Sequence, residues 1–169
     1  MTKIYVLFIS LFAALALVAC GGQEEIELTI IDLLEYDGSG DKAYFAYEGV
    51  IYDVTDSDLW EDGSHFGRYA GYDLTSQLEG APHGTEMFDN VPQVGVMIPL
   101  ELSTEDLTEY DGASHVYMFI AFEGTIYNVT NAEAWEDGEF NGLLPGNDLS
   151  DELTADDVEG LPEVGVLVD

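Results

Sequence analysis

Two histidines, His65 and His83, occupy one stretch of a sequence that has only three histidines and three basic side chains in all. A neutral imidazole is the commonest side-chain ligand for a protein-bound metal, and two of them on facing segments could hold an iron ion. The single cysteine is Cys20, so the chain has neither a disulfide framework nor a thiolate metal cluster. Any metal site must therefore use nitrogen, oxygen or thioether ligands.

The stretch that contains the two histidines recurs later in the chain without them. WEDGSHFGRYAGYDLTSQLEGAPHG (residues 60–84) returns as WEDGEFNGLLPGNDLSDELTADDVEG (residues 135–160). ELTIIDLLEYDG likewise returns as ELSTEDLTEYDG, and YEGVIYDVT returns as FEGTIYNVT. Two units of about 70 residues indicate a duplicated domain rather than a solenoid. The predicted domains are residues 27–98 and 99–169, joined by a very short linker.

Each unit begins with a helix signal and continues with a hairpin signal. Thr29 followed by Asp32 resembles a capping box, and Glu48-Gly49 between two β-rich runs predicts a tight turn. Asp73 starts a second helix signal. The predicted elements of the first unit are a helix within residues 27–38, strands over 43–47 and 50–54, helices from Asp73 and over 86–89, and a closing strand over 92–96.

Four segments resemble the cytochrome b5-like haem/steroid-binding domain. They are AYFAYEGVIYDVT (residues 43–55), AGYDLT (70–75), APHG (81–84) and VPQVG (91–95). The resemblance implies an α+β fold with two tandem domains, each a small mixed sheet with short helices around a ligand cleft. It covers essentially the whole chain after residue 26, once in each repeat.

The resemblance also implies the axial ligands of a non-covalent b-type haem. His83 follows Ala70 at the spacing that the family uses for its second ligand. The HPGG loop that carries the first ligand in typical members is missing, and the nearest histidine is His65. Tyr69 and Met87 are alternative ligands, because one branch of the family uses a tyrosine near this place. Two imidazoles would leave the iron without an open site, which suits electron transfer.

Apolar residues near the histidines could form the pocket walls, and simpler interpretations of the same residues stay open. His65 could be a surface loop histidine and His83 a residue at a helix start. The aromatic residues could belong to the core. Tyr52 and Trp60 recur in the second unit, which favours a scaffold role for these two. The predicted pocket residues are Phe66, Leu74, Leu78 and Phe88.

The second unit lacks the candidate ligands. Phe140 stands at the position of His65, and Val158 at that of His83. The stretch that would carry the counterparts of Met87 and Phe88 is also shorter. We therefore expect one haem per chain, bound by the first unit.

The first residues predict export. A positive start and an apolar run end in Leu-Val-Ala-Cys-Gly, which resembles a bacterial lipobox. The resemblance implies a signal peptide over residues 1–19, acylation of Cys20 and an acidic spacer over 20–26. An uncleaved anchor helix with an incidental Cys20 is the alternative. Both interpretations predict an extracytoplasmic protein attached to the membrane.

The chain is strongly acidic, with 35 acidic and three basic residues and a net charge of −32. Such a charge repels phosphate backbones, so nucleic-acid binding is excluded. A saline habitat explains the charge, and docking to a basic redox partner is the functional alternative.

Three functions are consistent with this sequence. The first is a membrane-anchored b-type cytochrome that transfers electrons to an unknown redox protein. The second is a module that binds haem or a steroid-like apolar ligand without redox function. The third is a structural or partner-docking surface lipoprotein. We expect no enzymatic activity, because neither a nucleophile–base pattern nor a reductase or oxidase domain is present.

Overall fold

The computed structural model describes residues 25–78 and 90–168, which contain two four-stranded sheets of the same topology. We call residues 25–78 and 90–98 unit 1, and residues 99–168 unit 2. No helix in these residues has the length and apolar character needed to cross a membrane. Mixed sheets with short helices make the fold α+β, as the sequence predicts.

In unit 1 the strands lie in the order β1-β6-β3-β2. The first strand pairs parallel with the sixth, and the other two pairs are antiparallel. The parallel edge strand is not among the predicted elements, since three residues show too little alternation to be recognised. The strands of this sheet are β1 (Ile26–Leu28), β2 (Tyr44–Tyr47), β3 (Val50–Asp53) and β6 (Gln93–Met97).

Unit 2 repeats this sheet strand for strand, in the order β7-β10-β9-β8. Its edge strand again pairs parallel with the last strand, and a register shift occurs in the same pair of strands as in unit 1. The strands are β7 (Leu100–Leu102), β8 (Phe119–Phe122), β9 (Thr125–Asn128) and β10 (Glu163–Leu167).

The central hairpin of each unit forms where the sequence predicts it. Glu48 and Gly49 both have positive φ angles, 49° and 79°, and Glu123 and Gly124 repeat them at 50° and 81°. Two consecutive residues with positive φ suit the right-handed twist of the strands that they join.

The predicted capping box at Thr29 is present. The Thr29 amide donates to an Asp32 carboxylate oxygen at 2.9 Å, and the Asp32 amide donates to the Thr29 hydroxyl at 3.2 Å. The segment that follows is a 3₁₀ helix (Asp32–Tyr36) rather than an α-helix. It presents Leu33 to the core, where this side chain is fully buried. Ser103 and Asp106 form the same box before α2 (Thr104–Leu107) in unit 2.

The second predicted helix begins after Asp73. Its carboxylate accepts hydrogen bonds from the amide and the hydroxyl of Thr75, at 2.9 and 2.6 Å, and α1 (Thr75–Leu78) follows. A capping carboxylate satisfies amides that a helix start leaves without partners. The predicted helix over residues 86–89 lies outside the described residues.

Both faces of each sheet are covered by apolar side chains. In unit 1, one face packs around Leu33 and Ile51, and the other around Phe45 and Leu74. Ile30 departs from this division, because it is buried in a cluster formed mainly by residues of unit 2. The two units are therefore in direct apolar contact.

Candidate functional site

His65 lies on a two-stranded hairpin that projects from unit 1. Phe66 and Gly67 form its turn, with φ angles of 45° and 76°. The sequence of unit 1 predicts only a shortened loop here. The sequence of unit 2 indicates a hairpin at the corresponding place. Asn141-Gly142 occupies the corresponding turn, and Asn-Gly is a strong hairpin dipeptide. The strands are β4 (Ser64–His65) and β5 (Arg68–Tyr69).

The imidazole of His65 is fixed by a hydrogen bond to the chain. Its Nδ1 lies 2.7 Å from the carbonyl oxygen of Leu59. A carbonyl can only accept, so Nδ1 carries a proton, and in the neutral imidazole the lone pair is then on Nε2. A bond of this kind orients metal-binding histidines and selects the nitrogen that binds the metal. Nε2 is therefore the nitrogen of His65 that could bind a metal ion.

Aromatic rings hold the same imidazole from two sides. Trp60 stacks on it with ring centroids 5.6 Å apart and an interplanar angle of 25°, and Phe66 meets its edge at 4.7 Å. Trp60 in turn stacks on Phe45 at 5.1 Å and 8°. Because Phe45 is fully buried, this row of rings connects His65 to the core of unit 1.

The surface around His65 is unusually apolar for so acidic a chain. Leu59 and Phe66 are 65% and 92% exposed. Clustered exposed apolar side chains of this size mark ligand or partner surfaces more often than isolated ones do.

The strand pairing assigns the hairpin side chains to opposite faces. His65 pairs with Arg68 and Ser64 pairs with Tyr69, and paired residues share a face. The Arg68 guanidinium approaches the carbonyl oxygen of Gln77 in α1 at 3.5 Å. The His65 face is therefore directed towards the end of α1, from which the chain continues to His83.

Tyr69, the alternative ligand, lies on the opposite face from His65. There it lines an open cleft of about 710 Å³. Hydrogen bonds from Ser39 hold the pKa of Asp37, in this cleft, below its usual range. A cleft with two carboxylates is a poor match for an apolar ligand. The cleft is lined by Leu34, Asp37, Gly38, Ser39, Asp62, Tyr69, Ala70 and Tyr72.

The predicted pocket residues differ in burial and do not all lie at one surface. Phe66 is on the exposed turn, whereas Leu74 is 1% exposed and packs in the core with Ala70. Leu78 is partly buried against the same cluster. His83, Met87 and Phe88, like Cys20, lie outside the described residues. Among the residues that are described, no three His, Cys, Asp or Glu side chains form a group that could hold a metal ion.

Unit 2 keeps the ring stack and lacks the imidazole. Phe140 stacks on Trp135 at 5.6 Å and 29°. Val158, at the position of His83, is 7% exposed and is buried with Leu149 and Leu153. Apolar side chains thus fill unit 2 where the sequence comparison places the ligands of unit 1.

Two solved structures are similar to part of this chain. A cytochrome b5 domain protein of Methanococcoides burtonii is 47% identical over 43% of this chain and 97% of its own length, with a TM-score of 0.42. A cytochrome b5 domain protein of Hadesarchaea YNP_N21 is 41% identical over 43% of this chain and 99% of its own length, with a TM-score of 0.41.

Each of those proteins is matched almost completely, by a part of this chain close to one unit in length. No protein-family model matches the sequence, and no curated protein matches it. The identity to two nearly complete domains is decisive, and it agrees with the resemblance carried by AGYDLT and YEGVIYDVT. The chain belongs to the cytochrome b5 domain family.

Proposed function

We propose that unit 1 binds one b-type haem between His65 and His83 and serves as an electron carrier. The observation that carries this proposal is the hydrogen bond from Nδ1 of His65 to the Leu59 carbonyl oxygen, which leaves Nε2 free to bind iron. We propose further that unit 2 is a second, degenerate copy of the same domain, so that residues 27–98 and 99–169 are tandem domains.

The described residues near His65 suit a haem in their chemistry. Imidazole is a ligand of haem iron, and the apolar side chains of Leu59 and Phe66 flank His65 at the surface. The haem would supply a reversible one-electron redox centre, and imidazole ligands on both sides would favour electron transfer over oxygen chemistry. Arg68, the only arginine of the chain, adds a positive charge on the His65 face that suits the carboxylates of the porphyrin edge.

The start of the sequence supports a proposed location for the protein. We propose that Cys20 is acylated after removal of residues 1–19 and that the protein faces the extracytoplasmic side of the membrane. The charge of −32 then suits either a saline medium or a basic redox partner. We propose no enzymatic activity for either unit.

An absorption titration with hemin, in high salt on the soluble chain, tests the haem site. The expected result is one haem per chain, with a sharp Soret band and split α and β bands after reduction. His65→Phe should abolish the low-spin spectrum while keeping the ring stack, because unit 2 carries this arrangement naturally as Phe140 on Trp135. His83→Ala should abolish it as well. His115→Phe is the matched control and should leave the spectrum unchanged.

Two other outcomes would redirect the proposal. A low-spin spectrum that survives His65→Phe would move the first ligand to Tyr69 or Met87. If the wild-type chain takes up no stoichiometric haem, the electron-transfer function is wrong. A steroid-like ligand or a docking function would then become the leading hypothesis.

A further inference from the structure

An apolar face of unit 1 is covered by unit 2. Ile30 is only 5% exposed, and its neighbours in the buried cluster belong to unit 2. Tyr72 of unit 1 meets Tyr117 of unit 2 edge to face, with ring centroids 6.3 Å apart and an interplanar angle of 69°. Tyr117 itself is 5% exposed. The residues of unit 1 that pack on this cluster are Ile30, Ile31, Leu34, Tyr72 and Met97.

This face is apolar in unit 1 alone. At four of these five positions the repeat places a polar and exposed residue in unit 2. The fifth, Met97, matches Leu167, which packs on the cluster from unit 2. Apolar side chains thus occupy these four positions where they are covered, and polar side chains occupy them where water reaches them. The pairs are Ile30 with Thr104, Ile31 with Glu105, Leu34 with Thr108 and Tyr72 with Asn147.

The opposite side of the contact is also specific to one unit. The counterpart of Tyr117 in unit 1 is Lys42, an exposed side chain whose ammonium lies 5.9 Å from the centre of the Tyr44 ring. Unit 1 therefore lacks the ring on which Tyr72 packs, and unit 2 lacks the ring that packs on it, because Asn147 stands at the position of Tyr72. The contact joins two different surfaces, and neither unit carries both rings. It therefore does not repeat with a further copy of the domain.

The covered face belongs to the segment that leads to the haem site. Tyr72 lies between the hairpin of His65 and the start of α1. On one side the backbone of this segment is bound to β2: the Gly71 amide donates to the Tyr44 carbonyl at 2.6 Å, and the Leu74 amide donates to the Ala46 carbonyl at 2.9 Å. On its other side the Tyr72 ring packs against unit 2. The same ring also contacts the core cluster of Ala70 and Leu74.

We infer that unit 2 acts as a built-in docking partner that holds the segment from Ala70 to Thr75 in place, so that ligand retention by unit 1 depends on the contact between the units. The statement about ligand retention rests on the proposed haem site. The statement about the segment does not, because it concerns the chain without ligand. Unit 2 thereby has a function that requires no haem of its own.

Hydrogen exchange of the full-length apo chain tests the first statement. Leu34→Thr introduces the residue that unit 2 carries at this position, and Leu144→Thr makes the same change at a site that is 56% exposed. We expect the amides of Gly71 and Leu74 to exchange about tenfold faster in Leu34→Thr, since losing one partly buried leucine weakens the contact by about that factor. Leu144→Thr should leave both amides unchanged. Tyr72→Asn provides a second variant if Leu34→Thr does not fold.

The rate of haem loss to a scavenging globin in excess tests the second statement. It should rise about tenfold in Leu34→Thr and stay unchanged in Leu144→Thr, because the opened segment no longer holds its ligand. Unchanged amide protection in both interface variants would overturn the inference. Faster exchange with unchanged haem loss would overturn its second half. A wild-type chain that binds no haem would refute the proposed function while the exchange experiment still decides whether unit 2 holds the segment.

Discussion

The two units have almost the same ring stack at the position of the candidate ligand, and differ in one ring. His65 on Trp60 and Phe140 on Trp135 both have centroids 5.6 Å apart, with interplanar angles of 25° and 29°. The stack is therefore a property of the scaffold. What unit 1 adds is an imidazole whose Nδ1 meets the Leu59 carbonyl oxygen. The scaffold thus forms the same stack with an imidazole or with a phenyl ring at this position.

The tryptophans beneath the two stacks differ in burial. Trp135 is 2% exposed and sits in a cluster with Leu149, Leu153 and Val158, whereas Trp60 is partly buried. Unit 2 uses this region as core. In unit 1 the corresponding tryptophan supports a histidine at the surface. The same residue type thus contributes mainly to stability in one unit and to positioning in the other.

Trp135→Ala should have the largest effect on stability. We expect a loss of about 3–5 kcal/mol in the free energy of unfolding, from lost burial and a residual cavity. Trp60→Ala should cost about 2 kcal/mol, because its ring is only partly buried. Urea denaturation followed by circular dichroism in constant high salt measures both, since fluorescence changes when a tryptophan is removed. Equal losses would contradict the assignment of different roles.

Restoring both histidines to unit 2 should not restore a haem site. The double variant Phe140→His, Val158→His supplies the imidazoles by position, but Val158 lies in a closed apolar core. Burial of a polar ring there should lower the free energy of unfolding by about 2–3 kcal/mol. A hemin titration should still give one haem per chain. Uptake of a second haem would show that ligand identity alone separates the units.

Much of the scaffold could be predicted from the sequence, because its signals are local. Glu48-Gly49 predicted the hairpin, and Thr29 with Asp32 predicted the cap; both are confirmed. The repeat then predicted the same features in unit 2. The helix type was harder to predict: residues 32–36 form a 3₁₀ helix, and a segment of five residues gives little room for α-helical bonds.

The features that the sequence did not reveal depend on distant contacts. The three-residue strands β1 and β7 exist because a parallel neighbour pairs with them. The hydrogen bond of His65 requires a carbonyl six residues away, which no side-chain pattern encodes. The partly buried position of His115 is a further example: its ring stacks on Tyr117 and lies tilted against Tyr110. The contact between the units became visible only with both sheets in place.

Tyr117→Phe should stabilise the chain. The Tyr117 hydroxyl is buried and has no hydrogen-bond partner among the described residues. Its removal should therefore raise the free energy of unfolding by about 1 kcal/mol. Tyr110→Phe is the control, since Tyr110 is also buried at this cluster without an orphaned hydroxyl, and it should bring no gain. A loss of stability in Tyr117→Phe would mean that the hydroxyl has a partner.

Wild type and Tyr117→Phe should diverge further in stability at high pH. Burial, with Tyr72 and Asp73 close by, raises the pKa of Tyr117 above its usual range, and the His115 ring covers another side. Stability from a group with a raised pKa is complete below the unfolded value, near 10, and is lost as the pH rises towards the folded value. Wild type should thus lose stability faster than Tyr117→Phe above about pH 10. If urea denaturation shows that both proteins lose the same free energy of unfolding across that pH range, the expectation is wrong.

Asp53→Asn should have the smallest effect, because unit 2 already carries Asn128 at this place. The Asp53 carboxylate accepts a hydrogen bond from the Thr55 amide at 2.9 Å. The Asn128 side-chain oxygen accepts the same bond from the Thr130 amide at 3.0 Å, so the turn keeps its hydrogen bond in the variant. The change removes only the ion pair with Lys42, at 3.3 Å between Nζ and Oδ2. Exposed pairs of this kind contribute about 0.5 kcal/mol or less.

Two opposing electrostatic effects decide the sign of that small change. Asp53→Asn loses the ion pair but also removes one negative charge from a chain of net charge −32. Lys42→Met loses the same pair and makes the net charge more negative. At low salt Lys42→Met should therefore be the less stable variant, and high salt should bring both close to wild type. If the two variants lose equal stability at low salt, the local pair outweighs the charge of the whole chain.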